Sequence, residues 1–230
     1  MPPDSRSRVV VLRNIPFAIE EKRVLRELRI PKVRSLDEMD EVHVARAIRE
    51  AIREAYTLIH AQACYRTYRI QAVEKERVRI PESDTVFQGE SMVKLLRDCD
   101  YATLMACHLG PAMDQRVSDL EAREPALAFY LDRVGAWMAD YVADAVDRVI
   151  LQEIQRNGYE RTFRFAVGYG DWPLTCQAEV LRLVEAHRIG LHHTETFILV
   201  PRFAVSAVIG WKRRSEHPEE PRVPDAPGTA

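Results

Sequence analysis

Arg164-Phe165-Ala166-Val167-Gly168-Tyr169-Gly170-Asp171-Trp172-Pro173 is the stretch that organises the chain. Thr162 to Val167 has the look of a strand. It runs into Gly168-Tyr169-Gly170, where glycine lets the backbone turn sharply or lie against a ligand. Pro173 then stands where a helix would begin, a position that does not need its missing N–H. The stretch therefore predicts strand, tight turn and helix, with the helix running from about Leu174 to His187.

Outward from this corner the periodicity changes several times. Downstream, strands are expected near Thr196–Val200 and Val205–Trp211. Upstream, Pro125 to Gln155 predicts the longest helix, with Leu127, Leu131, Val134, Met138, Tyr141, Ala145 and Val149 spaced by three and four residues. Glu41 to Ile59 is a second amphipathic helix, with Val44, Ile48, Ile52, Ala55 and Ile59 on one stripe. Short strands are expected at Val9–Leu12, Tyr65–Val73 and Val78–Ile80, and a buried strand at Ala102–Cys107. Ser91–Arg97 begins a short helix, and Gly110-Pro111 starts another. Helices fill the middle and strands gather towards both ends. The expected fold class is α+β, a helix-rich domain with an antiparallel or mixed sheet. Four parts are expected: a disordered N-terminus (1–7), an N-terminal α/β part (8–90), a ligand-binding part (91–212) and a Pro- and charge-rich disordered tail (213–230).

Composition narrows the function. The 230 residues are 47% hydrophobic and 30% charged, the balance of a globular protein with a sizeable core. A net charge of -2 offers no electrostatic case for nucleic acid. No apolar run approaches the roughly 18 to 20 residues that span a bilayer. The N-terminus lacks a signal-peptide apolar region, so a cytoplasmic location is expected. Cys64, Cys99, Cys107 and Cys176 form no C-x-x-C pair and are expected as small buried hydrophobes. There is no P-loop, no G-x-G-x-x-G and no internal repeat.

Arg164 offers a planar fork for a carboxylate, and Tyr169 an aromatic face for a cation such as a sulfonium. S-adenosylmethionine carries both groups. The same residues also suit a plain strand–turn–helix corner with a surface arginine and a packed tyrosine, and taken alone they leave both readings open. The segment resembles the S-adenosylmethionine motif of the activation domain of cobalamin-dependent methionine synthase: Arg, three residues, Gly-Tyr, then a proline-started helix. The likeness continues through Ile189-Gly190-Leu191, Thr194-Glu195-Thr196-Phe197, Pro201 and Val205-Ser206-Ala207.

That resemblance implies that Arg164 holds the methionine carboxylate, that the backbone of Ala166, Val167 and Gly168 runs along the ligand, and that Tyr169 lies beside it. It implies a methyltransferase component. S-adenosylmethionine would methylate cob(I)alamin, formed by one-electron reduction of cob(II)alamin carried by a separate corrinoid-binding protein. That protein would be a methionine synthase or another methyltransferase, with a flavodoxin- or ferredoxin-like electron donor. Three departures stand out. Gly170-Asp171-Trp172 intervene before Pro173. Ala136 occupies the place of the family's acidic residue, leaving Asp140 or Asp144 as substitutes. Trp211 is the aromatic on offer after the Val-Ser element. The second departure keeps a second reading open, an interaction module that caps or stabilises a corrinoid protein without binding S-adenosylmethionine.

Glu185-Ala-His187-Arg-Ile-Gly190 superficially matches the corrinoid-binding pattern Asp-x-His-x-x-Gly. It lacks the aspartate, and Gly190 is expected to cap a helix end instead. His192 and His193, adjacent on a strand, would point to opposite faces and not share an ion.

Overall fold

The computed structural model describes residues 8–30 and 33–213; the expected disorder at 1–7 and 214–230 lies outside them. Along the chain the strands are β1 (Val10–Arg13), β2 (Gln62–Arg69), β3 (Ala72–Val73), β4 (Arg77–Ile80), β5 (Ser83–Gln88) and β6 (Cys99–His108). They continue with β7 (Tyr159–Arg161), β8 (Phe165–Ala166), β9 (His192–His193), β10 (Leu199–Val200) and β11 (Ala204–Arg213). The helices are α1 (Glu21–Glu27), α2 (Val42–Leu58), α3 (Glu90–Leu96), α4 (Pro111–Glu121), α5 (Pro125–Arg156) and α6 (Cys176–Leu183).

The main sheet is antiparallel throughout, in the order β1-β2-β6-β11-β7, with β8 also paired to β11. Both faces are covered, which is why β6 reads as an apolar run and not as an alternation. Met105 and Cys107 face a core built with α2, α4 and α5. Ala102, Leu104 and Ala106 face a second core, built with α3, α6 and the small β3-β4-β5 sheet. The fold is α+β, helices on one face and a mixed helix-and-sheet layer on the other. The sheet also runs across residue 90, since β2 pairs with β6 along eight positions.

Some expected elements shift. Of the strand expected at Thr162–Val167 only Phe165–Ala166 forms, as β8, and β7 lies ahead of it. Thr162 between them bonds β11 twice, its N to Gly210 O at 2.9 Å and its Oγ1 to Gly210 N at 2.8 Å. The strand expected at Tyr65–Val73 ends at Arg69, and Ala72–Val73 joins the small sheet. β5 was not expected at all. The helix expected to reach His187 stops at Leu183, because Glu185 adopts φ +54°, and a short 3-10 turn follows over Ala186–Ile189. Gly190 caps that turn in the left-handed region, as expected. Arg213 is the last residue of β11, in register with Tyr159, and so belongs to the sheet.

On α5 the buried stripe follows Leu127, Leu131, Val134, Met138, Val142, Val146, Ile150 and Ile154. Tyr141 and Ala145 are only half-buried and Val149 is exposed. An i, i+4 row winds around a straight helix, so the contact line turns with the twisted sheet beneath it. Trp211 sits in the same core, fully buried, donating through Nε1 to Thr103 Oγ1 at 2.7 Å. It is thereby a core residue and not a wall of the site. All four cysteines are free and buried, as expected; burial pushes the Cys64, Cys99 and Cys107 thiols up to about 12.

Candidate functional site

A cleft of about 810 Å³ opens where β8 ends, between α5, the Val167–Leu174 turn and the 197–203 loop. The size suits a small-molecule ligand. Its floor on the α5 side is Ala136, Ala139 and Asp140, one helix face at spacings of three and one residue, where alanines leave room that larger side chains would fill.

Arg164, Ala166, Val167, Tyr169 and Asp140 all line this cleft. Gly168 does not; at φ +86° it makes the turn. Gly168 N bonds Trp172 O at 3.2 Å, and Trp172 N bonds Tyr169 O at 3.0 Å, so residues 168–172 close on themselves. Tyr169 is thereby pushed outward and is 68% exposed, not packed.

Asp171 and Trp172, ahead of Pro173, have structural roles. The Asp171 carboxylate accepts from Glu90 N at 2.6 Å and from Ser91 N at 3.2 Å, capping α3 from a distant part of the chain. Hydrogen bonds from the Ser91 hydroxyl and from these backbone groups hold the Asp171 carboxyl below its ordinary value. Trp172 is buried, stacks on Phe165 and donates to Val86 O at 2.8 Å. These two residues thus bolt the turn to the second core.

Arg164 is 18% exposed, and its Nη1 lies 2.9 Å from Asp144 Oδ1. That nitrogen is nevertheless buried without a partner in hydrogen-bond geometry. The contact is an ion pair by distance and charge that leaves N–H directions of the guanidinium unfilled. Asp144 is 64% exposed, and a pair with one partner in solvent contributes about 0–1 kcal/mol. A ligand carboxylate can therefore compete for Arg164. Burial raises the Asp140 carboxyl above its ordinary value; Arg164 opposes the shift, and Asp144 and Glu27 add to it. Of the two substitutes for the acidic residue, Asp140 lines the cleft, whereas Asp144 reaches Arg164 from outside it. Ala136 is a wall residue.

Sequence reasoning passed over several residues. Asp132 lines the cleft but is paired to Arg202 at 2.6 Å. Arg202 also stacks over Phe203 at 4.4 Å, and its N–H donates to Asp114 at 2.7 Å, which anchors the loop. Phe197 lines the cleft at φ +64°, a conformation rare for a bulky residue. Gln177 and Ser206 form a buried pair at the opposite wall, Ser206 Oγ donating to Gln177 Oε1 at 2.9 Å. The signal for Gln177 was present: positions 177, 180, 181 and 184 share a helix face, so a glutamine stands where the period asks for core. Its Nε2 is buried without a partner, and a buried unsatisfied donor costs about 1–3 kcal/mol. Among the described residues no group of three or more His, Cys, Asp or Glu is placed to hold a metal ion. None of their helices is long and apolar enough to cross a membrane.

No protein-family model and no curated protein sequence matches the chain. It is similar to a solved structure, the MetH reactivation domain bound to AdoHcy, at 17% sequence identity and a TM-score of 0.59, covering 93% of this chain and 81% of that chain. At that identity the likeness is one of fold: this chain has the α+β architecture of the MetH reactivation domain.

Proposed function

We propose that the chain binds S-adenosylmethionine in this cleft and supports reductive methylation of cob(II)alamin held by a separate corrinoid protein. That protein is a methionine synthase or another corrinoid methyltransferase, served by a flavodoxin- or ferredoxin-like electron donor. The observation that carries the reading is Arg164, mostly buried, with guanidinium N–H groups unfilled at the edge of a ligand-sized cleft. The fold it sits in is one in which the MetH reactivation domain is bound to AdoHcy. Arg164 would take the ligand's carboxylate, Asp140 its ammonium, and Tyr169 would lie beside the sulfonium. In the reaction, cob(II)alamin gains one electron. Cob(I)alamin then attacks the sulfonium methyl, the S–CH3 bond breaks with its electron pair left on sulfur, and a Co–CH3 bond forms. The chain's own residues bind and orient the donor.

Titration calorimetry with S-adenosylmethionine tests this. Arg164→Ala should weaken binding about ten- to a hundredfold, roughly 1.5–3 kcal/mol, with circular dichroism unchanged. Equal affinity in variant and parent removes Arg164 from the site. A second reading, a module that caps a corrinoid protein without binding S-adenosylmethionine, is favoured by the apolar rim: Phe163, Tyr169, Leu174 and Ile198 are all exposed around the mouth. Absence of any calorimetric signal with the parent protein would select it.

A further inference from the structure

Gln177 is the second residue of α6, is 2% exposed and lines the cleft, yet its Nε2 has no hydrogen-bond partner. Ser206 Oγ, on β11 and 4% exposed, donates to Gln177 Oε1 at 2.9 Å, so the oxygen faces the strand and the NH2 is the open group. A buried side chain held this way, with two donors unfilled beside a cleft, is built to meet an acceptor.

We propose that Gln177 is a binding residue that donates to the adenosine half of the ligand, with Ser206 as the positioning residue that aims it; this rests on the S-adenosylmethionine reading above. The assignment follows from the ligand's own acceptors and from the two faces of the sheet. Of the ligand's groups, the carboxylate is matched by Arg164, and neither the ammonium nor the sulfonium offers a lone pair that a donor would seek. The remaining acceptors are the ring nitrogens and ribose oxygens, all in adenosine. The sheet separates the two anchors. Arg164 pairs with Asp144 of α5, and Ala166 packs against the α5-side core, whereas Phe165 packs against the other. On β11, Ala207 and Ile209 belong to the α5-side core and Val208 to the α6-side one, so Ser206 shares the face of Val208. Arg164 and Gln177 thus stand on opposite faces, around the edge left open where β8 ends at Ala166. A ligand held by both has to be elongated, polar at one end and carrying acceptors at the other.

Two probes separate the halves: S-adenosylhomocysteine carries both, and 5′-methylthioadenosine has only the adenosine. Gln177→Met keeps the length and removes the donor. It should weaken both probes by the same factor, about tenfold for one lost hydrogen bond. Arg164→Ala should weaken S-adenosylhomocysteine and leave methylthioadenosine unchanged. Ser206→Ala should weaken methylthioadenosine in the parent and have no further effect in the Gln177→Met background, a coupling that a merely structural serine would not show. Should Gln177→Met fail to fold, the Gln177 side-chain NH2 resonances of the parent should shift as methylthioadenosine is added. Parent protein that binds S-adenosylhomocysteine but not methylthioadenosine overturns the proposal. So does a Gln177→Met protein that binds both as the parent does, or unmoved NH2 resonances; in these cases S-adenosylmethionine binding itself stands. A parent that binds neither probe sinks that reading as well.

Discussion

An ideal Cβ on Gly135 would lie 2.8 Å from Phe203 Cε1 and 3.0 Å from Met113 Cε. Phe203 is itself a buried wall of the cleft. The glycine lets the 197–203 loop and α4 press onto α5, one residue before Ala136. Two effects oppose each other in Gly135→Ala. The helix gains about 1 kcal/mol by losing a glycine, and overpacking against a ring that cannot swing away costs about 1–3 kcal/mol. The second wins, so the variant should melt lower than the parent. It should also bind S-adenosylmethionine less tightly, because the displaced ring moves a wall. A melting temperature at or above the parent's, with unchanged affinity, would mean that Phe203 relaxes freely and does not shape the cleft.

Among the elements, α3 depends on a cap that comes from 80 residues further along the chain, Asp171 to Ser91. Without it the first N–H groups of the helix have no acceptor from their own side chains. Asp171→Ala should lower stability, and Asp171→Asn should recover part of the loss, because an amide oxygen still accepts. The sign with pH is fixed. A carboxyl depressed in the folded state contributes stability above its unfolded value of about 3.9, lost as pH falls through the folded one. The gap between parent and Asp171→Ala should therefore narrow towards that between Asp171→Asn and Asp171→Ala at strongly acid pH; a constant gap would show that charge has no part in the cap. This contact also shows where sequence reading ran out. Gly-Asp-Trp looked like an interruption of the binding motif, since nothing local says that its aspartate caps a helix across the molecule. Local signals did better. Pro111 and Pro125 start α4 and α5, Gly190 caps its turn, the stripe of the first half of α5 is buried, and that of α2 is buried at Ile48, Ala55 and Ile59 and half-buried at Val44 and Ile52. Arg164 stood out by residue type and by the resemblance, and Asp140 only through the resemblance, with Asp144 as its alternative; Arg164 and Asp140 both line the cleft. Sequence reading passed over Gln177, although its place on the core face of a helix was legible, and Phe197, whose backbone angle only the packed chain reveals. β5 escaped although it pairs with β4 as a local hairpin, because Pro81 reads as the end of a strand and not as part of a turn.

At the scale of the whole molecule, His108 ties the layers together. It ends β6 and accepts from Gly110 N, ahead of α4, through Nδ1 at 2.9 Å; on the other face its Nε2 donates to Ile189 O at 2.8 Å. Both ring nitrogens are engaged as in the neutral form. Burial holds the imidazole below its ordinary value, with the Ile189 carbonyl and Asp114 opposing. Between that lowered value and the unfolded value of about 6.5, only the unfolded chain takes the proton, so the contribution is complete above about pH 6.5 and shrinks below it. Urea denaturation from about pH 7.5 to about 5.5 should show the parent losing more stability than His108→Asn; parallel curves would remove His108 from the pH dependence. The molecule as a whole also sets the last expectation. It offers a ligand-sized cleft and an exposed apolar rim, and it is proposed to act with S-adenosylmethionine on a corrinoid and an electron that other proteins bring. A corrinoid protein in the cob(II)alamin state, an electron source and S-adenosylmethionine, mixed with this chain, should give the visible spectrum of methylcobalamin, and leaving the chain out should slow the change strongly. Tyr169→Phe keeps the aromatic face and should retain most of the rate, whereas Tyr169→Ala should lose it, if the ring and not the hydroxyl lies beside the sulfonium. Methylcobalamin forming equally fast without this chain would defeat the accessory role, whatever the calorimetry shows.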